Sequence, residues 1–325
     1  RGTIQKTTDG GASWQAQGNG AYFNEHPNDV WFLDALNGWA VGGFTDGIAL
    51  RTADGGATWS SMQMPYRMEA VRFANASTGW AVGMLGTVLK TVDGGVTWNQ
   101  VSVGTSYDLY DIALPDASTI LIVGKAGTVL KSTDGGAYWT STYAGTENAL
   151  NGIFMWNSAQ GLAATGFNSV YNNRGRIYGT ADGGATWERR PADADDTCLT
   201  AVHCPTAHLG WATGTGGRIF KTADGGANWF AQPSGTTVNL NDVFMLGVNR
   251  GFAAGAGATI LYYTGLGRAD FNVDGLVDRE DLSLALRRIA GNPVSPGDVQ
   301  AGDANRDGRL NILDALAIQL IGAAP

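Results

Sequence analysis

The chain has 325 residues, among them 48 glycines and 11 tryptophans, with 15% charged side chains and a formal net charge of −8. Such a composition fits a turn-rich all-β protein with a large core better than a disordered chain. The acidic balance argues against nucleic acid as a partner, because phosphate backbones reward basic surfaces, and no apolar run is long enough to cross a bilayer as a helix.

The sequence starts at Arg1 in the middle of a repeat, so it is read as a fragment or processed product whose upstream region, with any signal peptide, is missing. Residues 2–7, GTIQKT, run into the first of six related boxes, TTDGGASW. The others are RTADGGATW, KTVDGGVTW, KSTDGGAYW, GTADGGATW and KTADGGANW. Their aspartates, Asp9, Asp54, Asp93, Asp134, Asp182 and Asp224, are 45, 39, 41, 48 and 42 residues apart, which marks a repeat architecture.

Upstream of each later box lies a segment with one column of Val30, Val71, Ile112, Ile153, Val202 and Val243, and a second column two residues on of Phe32, Phe73, Leu114, Met155, Cys204 and Met245. Apolar residues two apart predict a strand with one buried face. A second strand follows in GWAVGG and its equivalents, where Trp39, Trp80, Leu121, Leu162, Trp211 and Phe252 form a large-apolar column. The third strand enters the Asp-Gly-Gly turn and the fourth follows the box tryptophan. Four short antiparallel strands in about 42 residues is the size of a propeller blade.

First strands occur six times, but third strands occur seven times if residues 2–7 are counted, and the last repeat, 240–263, has three strands and no box. The expectation is a seven-bladed β-propeller with an incomplete first blade over residues 1–264; the alternative is a six-bladed ring in which residues 1–14 supply a missing outer strand. Cys198 and Cys204 stand six apart on one expected strand, roughly 20 Å in extended chain, so no bridge between them is expected. His203 and His208 nearby do not complete a zinc site, and the thiols are read as structural.

The recurring [Ser/Thr]-x-Asp-x-Gly-x-[Ser/Thr]-Trp pattern matches the Asp-box, or BNR repeat, with Tyr138 and Asn228 replacing the usual Ser/Thr in two boxes. With the surrounding GWAVG and GTVLKTVDGGVTW, it resembles photosystem II assembly-factor-like propellers across residues 1 to about 264. The boxes themselves read as turns: aspartate accepts hydrogen bonds from its own main chain, glycine supplies the backbone angle, and tryptophan covers the hairpin. Spread around a ring, they do not converge as catalysis requires.

By analogy with other propellers, a ligand would sit at the channel mouth, where the first strands begin. Two columns there supply Asn28, Asp29, Glu69, Tyr110, Asp111, Asn151, Thr200, Asn241 and Asp242; of these, Asp29, Glu69, Tyr110, Asp111, Asn151 and Asp242 are the candidate ligand-binding set. Tyr22, Phe23, Tyr66, Arg67, Tyr107 and Tyr143, and the insertion from Phe167 to Arg176, fall on the same face. Aromatic rings mixed with amides and carboxylates suit a glycan or a peptide segment; they also suit an ordinary solvated loop face. Asp-box propellers include sialidases and xyloglucanases, but the three-arginine cluster with a Tyr-Glu pair is not evident. A carboxyl pair for glycoside hydrolysis would have to come from Asp29 with Asp111, or Asp111 with Asp242. The reading leans away from an enzyme and assigns no catalytic residue.

After residue 264 the composition changes. DFNVDGLVDRED, 270–281, and DANRDGRLNILD, 303–314, place oxygen side chains at loop positions 1, 3, 5, 9 and 12. These are Asp270, Asn272, Asp274, Asp278 and Asp281, then Asp303, Asn305, Asp307, Asn311 and Asp314; Leu276 and Arg309 would each add a backbone carbonyl, and Gly275 and Gly308 permit the sharp turn. Hard oxygen ligands at that spacing describe two EF-hand-type loops, hence two Ca2+ ions. Leu282, Ala285, Leu286 and Ile289, then Leu313, Leu316, Ala317 and Leu320, make an apolar helical stripe after each loop.

Two such loops with only the outgoing helix resemble a type I dockerin over residues 268 to about 322, giving a small all-α domain at 265–325. The resemblance implies secretion and docking onto a cohesin-like scaffold, often in polysaccharide-degrading assemblies, with Arg279 and Glu280 in one copy and Ile312 and Leu313 in the other at the recognition positions. The two copies differ there and no Pro/Thr-rich linker precedes the module, so a dockerin-like calcium staple packed on the propeller is the alternative. The leading reading is a secreted, non-catalytic propeller that recognises a protein or glycan and is tethered through its tail. A glycoside hydrolase or accessory component of a polysaccharide-degrading assembly is the second, and an assembly factor for a membrane complex the third.

Overall fold

The structure, a computed structural model, describes residues 3–17, 26–166, 175–192 and 198–264. Their regular elements are 25 strands and four single 3-10 turns. A hairpin of β1 (Gln5–Lys6) and β2 (Gln15–Ala16) comes first. Blade one is β3 (Pro27–Phe32), β4 (Gly38–Gly43), β5 (Gly47–Thr52) and β6 (Ser60–Met64), and blade two is β7 (Met68–Phe73), β8 (Gly79–Gly83), β9 (Val88–Thr91) and β10 (Asn99–Val101). Blade three is β11 (Leu109–Ala113), β12 (Ile120–Gly124), β13 (Thr128–Ser132) and β14 (Thr140–Tyr143); blade four is β15 (Leu150–Met155), β16 (Gly161–Thr165), β17 (Ile177–Thr180) and β18 (Glu188–Arg190). Blade five is β19 (Leu199–His203), β20 (Gly210–Gly214), β21 (Ile219–Thr222) and β22 (Phe230–Gln232), and blade six has three strands, β23 (Leu240–Gly247), β24 (Arg250–Gly255) and β25 (Thr259–Thr264).

Each sheet is an antiparallel meander whose first strand touches the first strand of the next, from β3 to β7 and on to β23. First strands are therefore innermost, and the sheets are blades of an all-β propeller. The count corrects the expectation of seven: six blades form. Among the described residues β1 pairs with β2 alone, as a hairpin outside the six blades. Nor does β1 add to β25 as the missing outer strand of blade six.

Every inner strand carries a register shift at the same place, between Pro27/Asp29, Met68/Ala70, Leu109/Asp111, Leu150/Gly152, Leu199/Ala201 and Leu240/Asp242. The extra residue of this β-bulge lets side chains three apart point the same way. Leu109 and Ile112 are both buried, as are Met68 and Val71.

The core lies between blades. Trp39 of β4 stacks on Phe73 of β7 with ring centroids 3.6 Å apart, among Val41, Met68 and Val71. Equivalent clusters hold Trp80 against Ile112 and Trp211 against Val243. At the first blade the column pattern fails: Val30 is 49% and Phe32 40% exposed, with no inner strand before β3 among the described residues. Cys198 and Cys204 are free, Cys204 buried with its thiol pKa pushed up by burial.

Candidate functional site

The six boxes are self-contained. In the second, Thr58 N–H and Oγ1 donate to Asp54 at 2.9 and 2.6 Å, and Thr52 Oγ1 donates to Asp54 at 2.8 Å while accepting Gly56 N–H at 2.9 Å. Gly55 and Gly56 both take positive φ, 71° and 92°, which a side chain would oppose. Asn228 substitutes for the hydroxyl by donating Nδ2 to Asp224 at 2.8 Å; Tyr138 keeps only the main-chain bond to Asp134, 3.0 Å. Several boxes also brace the element before them, as when Trp39 Nε1 donates to Gly94 O and Lys90 Nζ to Gly135 O, both at 2.8 Å. With both oxygens held by its own turn in five of the boxes, and one in the box of Tyr138, the box aspartate serves the hairpin.

At the axis, the bulges aim polar groups across blade boundaries. Asp29 accepts Val30 N–H on one oxygen, 2.8 Å, and Val71 N–H of blade two on the other, 2.9 Å. Asp111 repeats this with Ile112 N–H, 2.8 Å, and Ile153 N–H of blade four, 2.9 Å. Between them sits Arg72, which donates to Asp29 and reaches Asp111 at 3.4 Å, with its guanidinium 5.1 Å from the centre of the Trp31 ring. Burial outweighs the nearby cation at Asp111 and pushes its carboxyl up to about 6.

Of the predicted set, Asp29 and Asp111 are thus brought together through Arg72. Glu69 lies beside them on the rim, paired with Arg67 Nε at 2.9 Å and accepting from Asn28 Nδ2 at 3.2 Å; burial raises its pKa against the pull of Arg67. Tyr110 has its phenol pushed up by burial and then by Asp108 and Glu69. Asn151 donates Nδ2 to Leu199 O of blade five, 2.7 Å, and Thr200 donates to Leu240 O of blade six, 2.7 Å. Asp242 accepts Val243 N–H, 2.8 Å.

Arg72 escaped the sequence reading. It belongs to the column of Trp31, Ala113, Phe154, His203 and Phe244; being the one arginine of that column was its only mark.

Tyr66, Tyr107 and Tyr143 are half exposed on the face where the blades connect. Tyr143 OH donates to Glu147 at 2.9 Å beside a shallow depression of about 270 Å3 that Asn148, Arg176 and Tyr178 also line. Tyr22, Phe23 and residues 167–174 lie outside the described residues, as do the predicted calcium ligands and recognition residues of the tail. Among the described residues no cluster of His, Cys, Asp and Glu is arranged to hold a metal, and no helix is long and apolar enough to cross a membrane.

Two family models match the sequence. Residues 21–106 match the Photosynthesis system II assembly factor YCF48 family. Residues 268–319 match the dockerin type I domain. No curated protein matches in sequence. Among solved structures, YCF48 from Cyanidioschyzon merolae superposes with a TM-score of 0.64 at 20% identity, over 81% of this chain and 89% of that one. The GH74 xyloglucanase from Xanthomonas campestris gives 0.59 at 12% identity, over 72% of this chain but 44% of that one; a chain from the mitotic checkpoint complex gives 0.61 at 12%, over 81% of each. At these identities the likeness is one of fold: three differently named structures share the propeller. The chain is therefore a propeller with Asp-box repeats, similar to the YCF48 family over residues 21–106, followed by a dockerin type I match.

Proposed function

We propose that this chain is a secreted recognition protein, with a non-catalytic propeller over residues 1–264 that binds a protein or glycan and a dockerin-like module over residues 265–325 that attaches it to a cohesin-type partner. The observation that carries the reading is the dockerin type I match at 268–319 joined to a propeller in one chain. The oxygen donors of 270–281 and 303–314 suit two Ca2+ ions, a hard cation that carboxylates, amides and carbonyls satisfy. Arg279, Glu280, Ile312 and Leu313 are the proposed cohesin contacts.

At the propeller, Asp29 and Asp111 each have both oxygens on main-chain donors, which disfavours them as a hydrolytic pair and favours a structural rim. Ligand recognition then falls to Tyr66, Tyr107, Tyr143 and the Glu69–Tyr110 edge, where exposed rings adjoin fixed polar groups. Such surfaces take the apolar face of a sugar or a peptide side chain. The test is a calcium-dependent pull-down with type I cohesins and a glycan and peptide array, with Tyr143→Ala and Tyr66→Ala as controls. No cohesin capture in millimolar calcium removes the tethering half; a featureless array removes the recognition half.

The second reading, a glycoside hydrolase component, draws on the fold shared with GH74 enzymes. Polysaccharide turnover abolished by Asp29→Asn, Asp111→Asn or Asp242→Asn would establish it in place of the first.

A further inference from the structure

The third strands of blades one to five share a column. Ala49, Val88, Val129, Ile177 and Ile219 each face the second strand at the same register, opposite Val41, Val82, Val123, Ala164 and Thr213. In blades two to five the column is branched and aliphatic, and Val88, Val129 and Ile177 are fully buried in cores shared with the next blade. Blade one has alanine there. Between blades one and two this leaves a groove of about 300 Å3, with Ala49 and Trp39 at its floor, Arg51 and Met62 on one wall and Val96 and Trp98 on the other.

Two donors at this groove lack acceptors. Arg51 and Lys90 occupy one register, opposite Trp39 and Trp80. Lys90 Nζ donates to Gly135 O of the next blade's box at 2.8 Å, but at Arg51 the equivalent carbonyl, Gly94 O, already accepts Trp39 Nε1 at 2.8 Å. Arg51 Nε is consequently buried with no hydrogen-bond partner, and among the described residues no carboxylate pairs with the guanidinium. The second donor is Trp98 Nε1. In the three boxes that follow, Trp139, Trp187 and Trp229 each donate to a glycine carbonyl of their own turn at 3.1–3.2 Å; Trp98, like Trp59, does not, and its N–H is buried and unpaired. At the rim Ser60 Oγ donates to Arg51 O at 3.3 Å and keeps its lone pairs for a further donor.

A buried donor without an acceptor costs free energy that a ligand oxygen recovers. A fixed guanidinium prefers a carboxylate, which it can hold with two parallel bonds. The apolar floor and the Val96 and Met62 walls require the same ligand to present an apolar face.

We propose that the groove between blades one and two binds one uronic acid residue of an acidic glycan, its carboxylate on Arg51 and the C–H face of its ring on Ala49, Met62 and Val96. Trp98 Nε1 and Ser60 Oγ then bond ring or hydroxyl oxygens. The volume suits a single pyranose, and a neutral sugar would leave the guanidinium without its anion. β5, which carries Ala49 and Arg51, is paired with β4 on one side and β6 on the other, so the floor offers a peptide no strand edge. The site uses none of the tyrosines assigned to recognition above and stands or falls separately from them.

The test is calorimetry of the full chain with trimers of galacturonic, glucuronic and mannuronic acid, each beside its methyl ester, and with the peptide acetyl-Gly-Glu-Gly-amide. At least one uronate trimer is expected to bind at a single site, with its ester weaker by about tenfold or more. Arg51→Gln should weaken the acid by a similar factor and leave the ester unchanged, a distinction that loss of structure would not produce. Ala49→Val, which gives blade one the side chain that Val88 provides in blade two, should abolish binding while the melting temperature holds or rises. Tyr66→Ala and Tyr143→Ala should leave binding intact. No binding by any trimer, equal binding of acid and ester, or binding that survives both groove variants overturns the proposal. Peptide binding as tight as that of the best trimer, and lost in Arg51→Gln, overturns it in favour of a protein carboxylate.

Discussion

Arg72 on the inner strand of blade two donates to Asp29 on the inner strand of blade one, and the same guanidinium reaches Asp111 of blade three at 3.4 Å. One side chain thereby bridges three blades, neutralising carboxylates that are already committed to main-chain donors. Removing the cation while leaving the acids largely buried should cost about 3 kcal/mol, the low end for a buried pair because Arg72 is partly exposed. Arg72→Met is expected to lose that amount in urea denaturation, and Arg72→Lys to fall between, since an ammonium cannot fork toward both acids.

Acid should act on the boxes and on the axis in opposite senses. Asp9, Asp54, Asp93 and Asp182 are held down to about 2, chiefly by the hydroxyl of the Ser or Thr four residues on. An unfolded aspartate titrates near 3.9, so their stabilisation is complete above about pH 4 and is lost as pH falls toward 2. Asp111, pushed up to about 6, holds its proton more tightly when folded; its contribution is complete below about pH 4 and lost as pH rises through 6. Melting curves should show the wild type losing ground to Asp111→Asn between pH 4 and pH 7, and Thr58→Val losing stability at pH 7 but little at pH 2. An Asp111→Asn difference that is flat across that range would show that the carboxyl is not shifted.

The boxes and strand columns were legible because each is set by neighbours in sequence: an Asp and a Thr four residues apart close one turn, and Val71 and Phe73 share one face of one strand. Blade number was not, because GTIQKT has a third-strand sequence whether or not anything pairs with it. The bulges left a trace, apolar residues three apart in Leu109 and Ile112 where a regular strand would put them on opposite faces. Arg72 left almost none, since its partners Asp29 and Asp111 are about forty residues away on either side and meet it only when the blades close. Val30 looked like its column, and its exposure follows from what lies beside β3.

The turn between second and third strands offers a test of local strain. Ala126 and Leu85 adopt φ of 54° and 57° where blades five and six have Gly216 and Gly257 at 67° and 65°. A β-carbon there crowds the following carbonyl at a cost of about 1 kcal/mol, which glycine avoids at some entropic loss in the unfolded chain. Ala126→Gly is expected to be neutral to mildly stabilising, by up to about 0.5 kcal/mol, whereas Gly216→Ala should destabilise by a comparable amount; chemical denaturation of the pair measures both.

Calcium should act on one part of the chain. The oxygen-rich loops at 270–281 and 303–314 belong to a segment of about 55 residues; a domain that small buries little core, so the proposed ion binding is expected to supply a large share of its folding free energy. The propeller is held by interblade cores such as Trp39 on Phe73 and by boxes whose aspartates are bonded by side chains and main chain of their own turn. EDTA is therefore expected to remove helical far-UV dichroism and cohesin capture together while the thermal transition of the β-sheet signal stays in place, and excess calcium should restore both. Asp270→Ala with Asp303→Ala should reproduce the effect without chelator. Helical signal that persists in EDTA would mean that the tail folds on its apolar stripes alone.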